Sequence, residues 1–277
     1  MKVDLHSHTT CSDGQLSPKE LIMRAQQMQV DMLAITDHDN IDAISQAQEA
    51  IKAFKAKIQL INGVEISTRW HGFEIHVLGL HFDENHTGLK QLLAEQGEKR
   101  ITRARRITEK LAFLHIDDLY QKCLSKTAGI VSRVHIAEVL VEEGHCKDLQ
   151  QAFNKFIGAK KRAYVQPDWV EMHEAVKVIQ QAGGAAVLAH PFHYDMKAKW
   201  LRKLLVAFAE AGGDATEVTH RNISPSKRDF IASLAIEYKL KASIGSDFHA
   251  PSRWCELGKT THLPEGLQGV WTDWVGK

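Results

Sequence analysis

Disulfide frames, a basic surface and membrane-length apolar runs are all missing from this 277-residue chain. Its four cysteines, Cys11, Cys123, Cys146 and Cys255, are scattered and form no C-x-x-C pair. They read as reduced thiols of a cytoplasmic protein, not as a covalent scaffold. Charge of one sign is absent too: 35 Lys and Arg against 34 Asp and Glu leave +1. A global footprint for long duplex nucleic acid is therefore lacking, and any polyanion must be gripped locally. No signal peptide opens the chain and no apolar stretch is long enough to span a bilayer. The expectation is a cytoplasmic protein with no membrane partner and no obligate protein partner. Sequence repeats and low-complexity tracts are absent as well. The composition, 44% hydrophobic and 25% charged, can bury a substantial core, as one barrel or as a barrel with a small insert.

What the chain does have is a scattered set of metal-type donors: His6, His8, Asp13, His38, Glu65, His76, His190, Asp247 and His249. Imidazoles mixed with hard oxygen donors suit borderline divalent ions. In the opening stretch, His6 and His8 stand two residues apart, so in an extended strand both rings point to one face. The apolar run Val30 to Thr36 reads as a buried strand ending in Asp37-His38. Ile58 to Ile66 carries Glu65 near its end, and Phe73 to Leu78 carries His76. Gly184 to Ala189 leads into His190, and Lys241 to Gly245 leads into Ser246-Asp247-Phe248-His249. Most donors thus fall where a strand gives way to a loop, as in a closed barrel of parallel strands whose loops share one mouth.

Helices separate these strands. Ser17-Pro18-Lys19-Glu20 has the hydroxyl, proline and glutamate of a capping box, followed by Leu21, Ile22 and Ala25 on one face. Residues 42–54, 171–182, 197–211 and 224–238 show the same periodicity, so the order is that of an α/β chain. Residues 100–165 break the alternation with three short helical stretches, 101–114, 133–143 and 149–157. The expected division is a barrel in two parts, 1–99 and 166–277, with a helical insert at 100–165 hanging over its mouth.

The motifs H-S-H at His6 to His8, T-D-H at Thr36 to His38, Glu65 with His76, A-H-P at Ala189 to Pro191 and G-S-D-F-H at Gly245 to His249 resemble the PHP (polymerase and histidinol phosphatase) family. The insert and Gly245 to Pro251 are more closely similar to the branch of bacterial 5'-3' exoribonucleases and nucleoside 3',5'-bisphosphate phosphatases. The resemblance implies a distorted seven-stranded (β/α) barrel with the small helical insert over the active-site mouth, and a site for three divalent ions, manganese first, with iron or zinc as alternatives. It assigns His6, His8, Glu65 and Asp247 to the first ion. Glu65 bridges to a second ion held also by His76 and His190, and Asp13, His38 and His249 hold the third. His6, His8, Glu65, Asp247 and His249 form the catalytic set it implies.

Charge favours a phosphate substrate, because three divalent cations outweigh three carboxylates. The resembling branch implies two substrates, nucleoside 3',5'-bisphosphates and the 5' end of short 5'-phosphorylated RNA, with short DNA as a further one. One geometry serves both if a cation holds the 5'-phosphate while the metals hold the next phosphate along. Arg133 is the first choice, since a guanidinium grips phosphate in a bidentate way, and Arg162 is the second. His135 is expected either to touch substrate or to cap a helix. The cluster Arg100, Arg103, Arg105 and Arg106, with Glu98 and Glu109 nearby, reads as a solvated helix face. Asp37 reads as an orienter of an imidazole. Cys11 and Trp254 read as packing residues, with base stacking an alternative for Trp254. His71, His81, His86, His115, His145, His173 and His262 carry no motif, whereas His193 and His220 follow strand ends. The competing readings are a histidinol-phosphate-type phosphatase, an amidohydrolase and a non-catalytic metal-binding module.

Overall fold

The computed structural model describes residues 1–219, 223–259 and 262–274. Its sheet contains β1 (Val3–Asp4), β2 (Met32–Ile35), β3 (Gln59–Trp70), β4 (Phe73–Leu80), β5 (Val170–Glu171), β6 (Ala185–Leu188), β7 (Ala215–Thr219) and β8 (Lys241–Ile244). Seven of these follow one another as β1-β2-β3-β4-β6-β7-β8, and β5 adds to the outer part of β3. The ring is nearly closed where β8 meets β1, through Leu5 N to Ile244 O at 3.1 Å and a bridge between Ser7 and Phe248.

Not every strand is parallel. β1 to β3 and β6 to β8 are parallel runs, but β4 is antiparallel to both β3 and β6. The reason is the connection: β3 runs on to Trp70 and turns back through His71 and Gly72, at φ 47° and 83°. Two residues with positive φ make a tight hairpin and cannot make a crossover. The expected all-parallel barrel is corrected here, and Glu65 lies in the middle of a strand instead of near its end.

Strand alternation explains how the core and the mouth share one lining. Val3, Leu5, Met32, Ala34, Ile61, Leu78, Leu80, Val187, Ala215 and Ile244 pack inside the barrel, with Trp271 and Trp274 among them. Continuing the same parity along β3 and β4 turns Glu65, Ser67, His76 and Glu74 toward the mouth.

Outside pack α1 (Pro18–Gln27), α2 (Ala43–Phe54), α3 (Thr87–Lys110), α7 (Met172–Gln181), α8 (Ala198–Glu210) and α9 (Pro225–Glu237). The capping box of α1 forms as the sequence indicates: Glu20 N reaches Ser17 Oγ at 3.3 Å and Ser17 N reaches Glu20 Oε2 at 2.8 Å. Among the described residues no helix is long and apolar enough to cross a membrane.

The insert has its own apolar core, in which Ala104, Ile107, Leu119, Ile136, Leu140, Phe156 and Val165 take part. Its helices are the end of α3, α4 (Leu119–Leu124), α5 (Arg133–Glu142) and α6 (Leu149–Ala152), the last continued by a π turn over Phe153–Ile157. Because α3 starts at Thr87, a boundary at residue 100 falls inside one continuous helix. The insert rests on the loop after β1. Ala128 N donates to Thr10 O at 3.0 Å, and a Cβ on Gly129 would stand 1.9 Å from Cys11 O, an approach that requires glycine there.

Candidate metal centre

All nine donor residues reach the mouth. His6 and His8 follow β1, Asp13 lies in the next loop, His38 follows β2, Glu65 and His76 stand on β3 and β4, His190 follows β6, and Asp247 and His249 follow β8. Glu65, almost fully buried, is the hub. Its Oε1 lies 2.8 Å from both His76 Nδ1 and His190 Nε2, and its Oε2 lies 3.2–3.3 Å from His6 Nε2, His8 Nε2 and His38 Nδ1. Asp247 Oδ1 stands 3.3 Å from His6 Nε2 and 3.4 Å from His8 Nε2, and Asp13 Oδ1 stands 3.4 Å from His249 Nε2.

Among the described residues, donor atoms within 4.8 Å of one another form four groups. They are His6, His8 and Asp247; His6, Glu65 and His190; His38, Glu65 and His76; and His8, Asp13, His38 and His249. These groups overlap through Glu65, His6, His8 and His38, and His76 and His190 fall in separate groups that share Glu65. The donor chemistry fits divalent ions. His190 Nδ1 is moreover buried without a hydrogen-bond partner, and Asp13 Oδ1 and His38 Nδ1 have ion-pair neighbours but no well-formed hydrogen bond, a costly state unless a cation or proton serves the atom.

The electrostatics point the same way. Burial alone would raise the carboxyls of Asp13, Glu65 and Asp247, but the surrounding imidazoles hold all three well below the usual carboxylate range. Burial pushes His8 down, yet Asp247 and Glu65 bring it up to about 10. Burial drives His38 well below its ordinary value. The mouth therefore holds ionised carboxylates whose countercharge comes from protons on imidazoles or from divalent cations, and binding of the latter releases the former.

Two of the supports are strained backbone positions. His190 has φ 26° and Asp247 φ 51°, in the left-handed region that non-glycine residues rarely adopt. Glu217 on β7 fixes one of them. It accepts from His190 N at 2.5 Å and lies 3.0 Å from His6 Nδ1; burial raises its carboxyl, but these two histidines bring it below its ordinary value. Sequence reasoning missed Glu217, although its strand Ala-Thr-Glu-Val-Thr follows a helix and precedes another. Asp37 works through a loop: it accepts from Thr9 N at 2.7 Å, Thr9 Oγ1 at 2.6 Å and Ser12 Oγ at 2.5 Å. Ser12 Oγ in turn lies 3.4 Å from His8 Nδ1, so Asp37 reaches that imidazole through a hydroxyl.

Beside the donors, a cavity opens under the insert. Asp13, His38 and His76 share its wall with Arg100, Arg103 and Arg133. A second cavity of about 290 Å³ joins Arg133 to Glu65, His190, His193, Asp247 and His249. Arg133, at the start of α5, is 31% exposed and gives one hydrogen bond to Glu74, at 3.2 Å. Burial raises the carboxyl of Glu74, but Arg133 and Arg103 bring it below its ordinary value.

The other substrate-side expectations fare unevenly. Arg162 is exposed and lies over the Phe113 ring at 3.6 Å, away from both cavities. His135 caps α5, accepting from Ser132 N at 3.0 Å. The solvated face expected of the arginine cluster is corrected for two members, because α3 runs between barrel and insert. Arg100 pairs with Asp39 at 2.6 Å, and Arg103 binds Val165 O at 3.0 Å and Glu74 at 2.8 Å. Both lie against Trp169. Arg105 and Arg106 are exposed.

His193 stacks on His190 at 4.8 Å, with Nδ1 3.9 Å from Asp247 Oδ2. His220 lies outside the described residues. His71, His81, His86, His115, His145, His173 and His262 belong to none of the donor groups. Cys11 packs with α1 and α2. Trp254 does not pack: it is 65% exposed, with Arg253 over its ring.

The sequence model of the PHP domain matches residues 4–181. The chain is 46% identical to 5'-3' exoribonuclease Rnm of Salmonella typhimurium, over 98% of this chain and 93% of that protein. It is 35% identical to a 3',5'-nucleoside bisphosphate phosphatase of Chromobacterium violaceum, over 98% of this chain and 95% of that protein. A solved structure of an amidohydrolase from the same organism, with bound sulfate and no metal, superposes with a TM-score of 0.91 at 34% identity. That match covers 99% of this chain and 95% of the other.

Proposed function

The chain belongs to the PHP domain family, and from that membership we propose that it is a metal-dependent phosphoesterase. It releases the 3'-phosphate of nucleoside 3',5'-bisphosphates and removes 5'-mononucleotides stepwise from the 5' end of short RNA. One observation carries the reading: the metal-donor ring and an arginine-lined cavity share a wall, so a substrate with two phosphates meets a suitable partner for each. In this reading His6, His8, Asp13, His38, Glu65, His76, His190, Asp247 and His249 hold divalent cations, three in number and manganese first. Such cations supply charge to phosphate oxygens and make water a nucleophile near neutral pH.

The rest of the work belongs to the protein. Arg133 binds the 5'-phosphate, and because it sits on α5 of the insert it fixes how far that phosphate stands from the donor ring. The phosphate at the ring is then a 3'-monoester in a bisphosphate or the first diester in RNA, and the product is a 5'-mononucleotide either way. Glu217 holds His6 in one orientation and anchors the strained peptide of His190, so both imidazoles present fixed nitrogens to the ring. The insert covers the side of the mouth nearest β1 to β4 and shields the 5'-phosphate from water.

The deciding assay compares phosphate or nucleotide release from adenosine 3',5'-bisphosphate, a 5'-phosphorylated short RNA and histidinol phosphate, each with added manganese and with chelator. The nucleotide substrates should be turned over faster, and chelator should abolish all release. Faster turnover of histidinol phosphate would overturn the nucleotide assignment.

A further inference from the structure

Glu74 belongs to none of the donor groups, yet it touches both halves of the mouth. It lies on β4 two residues from His76, on the same inward face. Its two oxygens are divided between guanidiniums of the helices above: Oε1 accepts from Arg103 Nη2 at 2.8 Å and Oε2 from Arg133 Nη2 at 3.2 Å. Arg103 is already committed, with Nε on the Val165 carbonyl and its plane over Trp169. Arg100 is committed to Asp39 in the same way. Setting aside Asp13, which belongs to the donor ring, the three guanidiniums meet two carboxylates, Glu74 on the wall and Asp39 behind Arg100, and the guanidinium left with open donors is Arg133. The insert's part of the wall is otherwise mostly apolar, with Ile107, Val131, Ile136 and Phe153, and its Ser132 hydroxyl is engaged in capping α5.

We propose that Glu74 sets the size of the anion accepted under the insert, admitting a 5'-monophosphate beside Arg133 and rejecting a 5'-di- or triphosphate. The proposal rests on the phosphoesterase reading above. A phosphate monoester carries about −1.5 to −2 charge at neutral pH and can take the open donors of one guanidinium. A second phosphoryl group would meet either the Glu74 carboxylate, whose two guanidinium partners are in use, or apolar side chains without a donor. Specificity of this kind is built from a repulsive element as well as an attractive one, and Glu74 is the repulsive one.

The test uses the metal-loaded protein and one short RNA bearing either a 5'-mono- or a 5'-triphosphate. In parallel, AMP, ADP and ATP compete against adenosine 3',5'-bisphosphate, with metal in excess over nucleotide. The wild type should favour the monophosphate in both series by about tenfold or more, and Glu74→Gln should shrink that preference about tenfold. Glu74→Asp, which keeps the charge, should retain it. A wild type without preference, a Gln variant with the original ratio, or equal loss of preference in the Asp and Gln variants would each overturn the role of Glu74. Absence of any bisphosphate turnover by the wild type would instead sink the phosphoesterase reading. A Gln variant that fails to fold leaves the wild-type ratios and the Asp variant to decide.

Discussion

The donor ring and the arginine wall face each other across one mouth but are held there by different means. The ring is fixed by strands. Its side chains leave β1 to β4, β6 and β8 at set parity, and buried hydrogen bonds accepted by Glu217 and Asp37 remove what freedom remains. The wall is fixed by a second apolar core and by ion pairs that cross to the barrel, Arg100 to Asp39 and Arg103 and Arg133 to Glu74. The difference teaches that, under the proposed function, the two can be damaged separately: the ring would serve every substrate, whereas the wall would read what lies next to the reacting phosphate.

Substitutions break or sharpen that contrast. Glu65→Gln removes the hub of the ring, and all phosphoesterase activities should fall together by roughly a thousandfold or more, with bound metal lost in elemental analysis. Survival of RNA cleavage alone would show that the two activities use different sites. Arg133→Ala, on the wall, should lower kcat/KM for 5'-phosphorylated substrates by about a hundredfold while a simple aryl phosphate changes little. Equal losses on both would merge wall and ring into one unit.

Glu217→Gln is a subtler injury to the ring. It keeps the shape but not the charge behind His6, and metal affinity should weaken by roughly 10–100-fold, recoverable at high manganese. Titration of activity with metal reads this directly, and an unchanged half-saturation would remove Glu217 from the ring's support. Arg162→Ala should have the smallest effect, within about twofold on every substrate, because an exposed cation resting on a half-buried ring away from both cavities contributes only a little. A selective loss on RNA would extend the wall to the outer face of the insert.

How much of this was legible beforehand follows from the range of each signal. The capping box at Ser17 to Glu20 is complete within four residues, and it formed as read. The helices from 171, 197 and 224 likewise appear within a residue of their expected limits. The direction of β4 was misread because it depends on two turn residues, His71 and Gly72, whose positive φ no apolar pattern announces. Arg100 and Arg103 looked solvated because their own helix is rich in charge. What covers them, Trp169 and Asp39, comes from more than 60 residues away along the chain.

The amino-acid order alone made the candidate donors and the elements that carry them legible, because most donors follow a strand, or in Glu65 and His76 lie on one, whose apolar residues are adjacent in sequence. Only the tertiary structure decided which arginines face the donors, and that Glu217, 211 residues from His6, holds its ring. The cause is physical. Secondary structure and side-chain parity are local properties of a chain, whereas the desolvation and pairing of a charge depend on whatever the fold brings next to it.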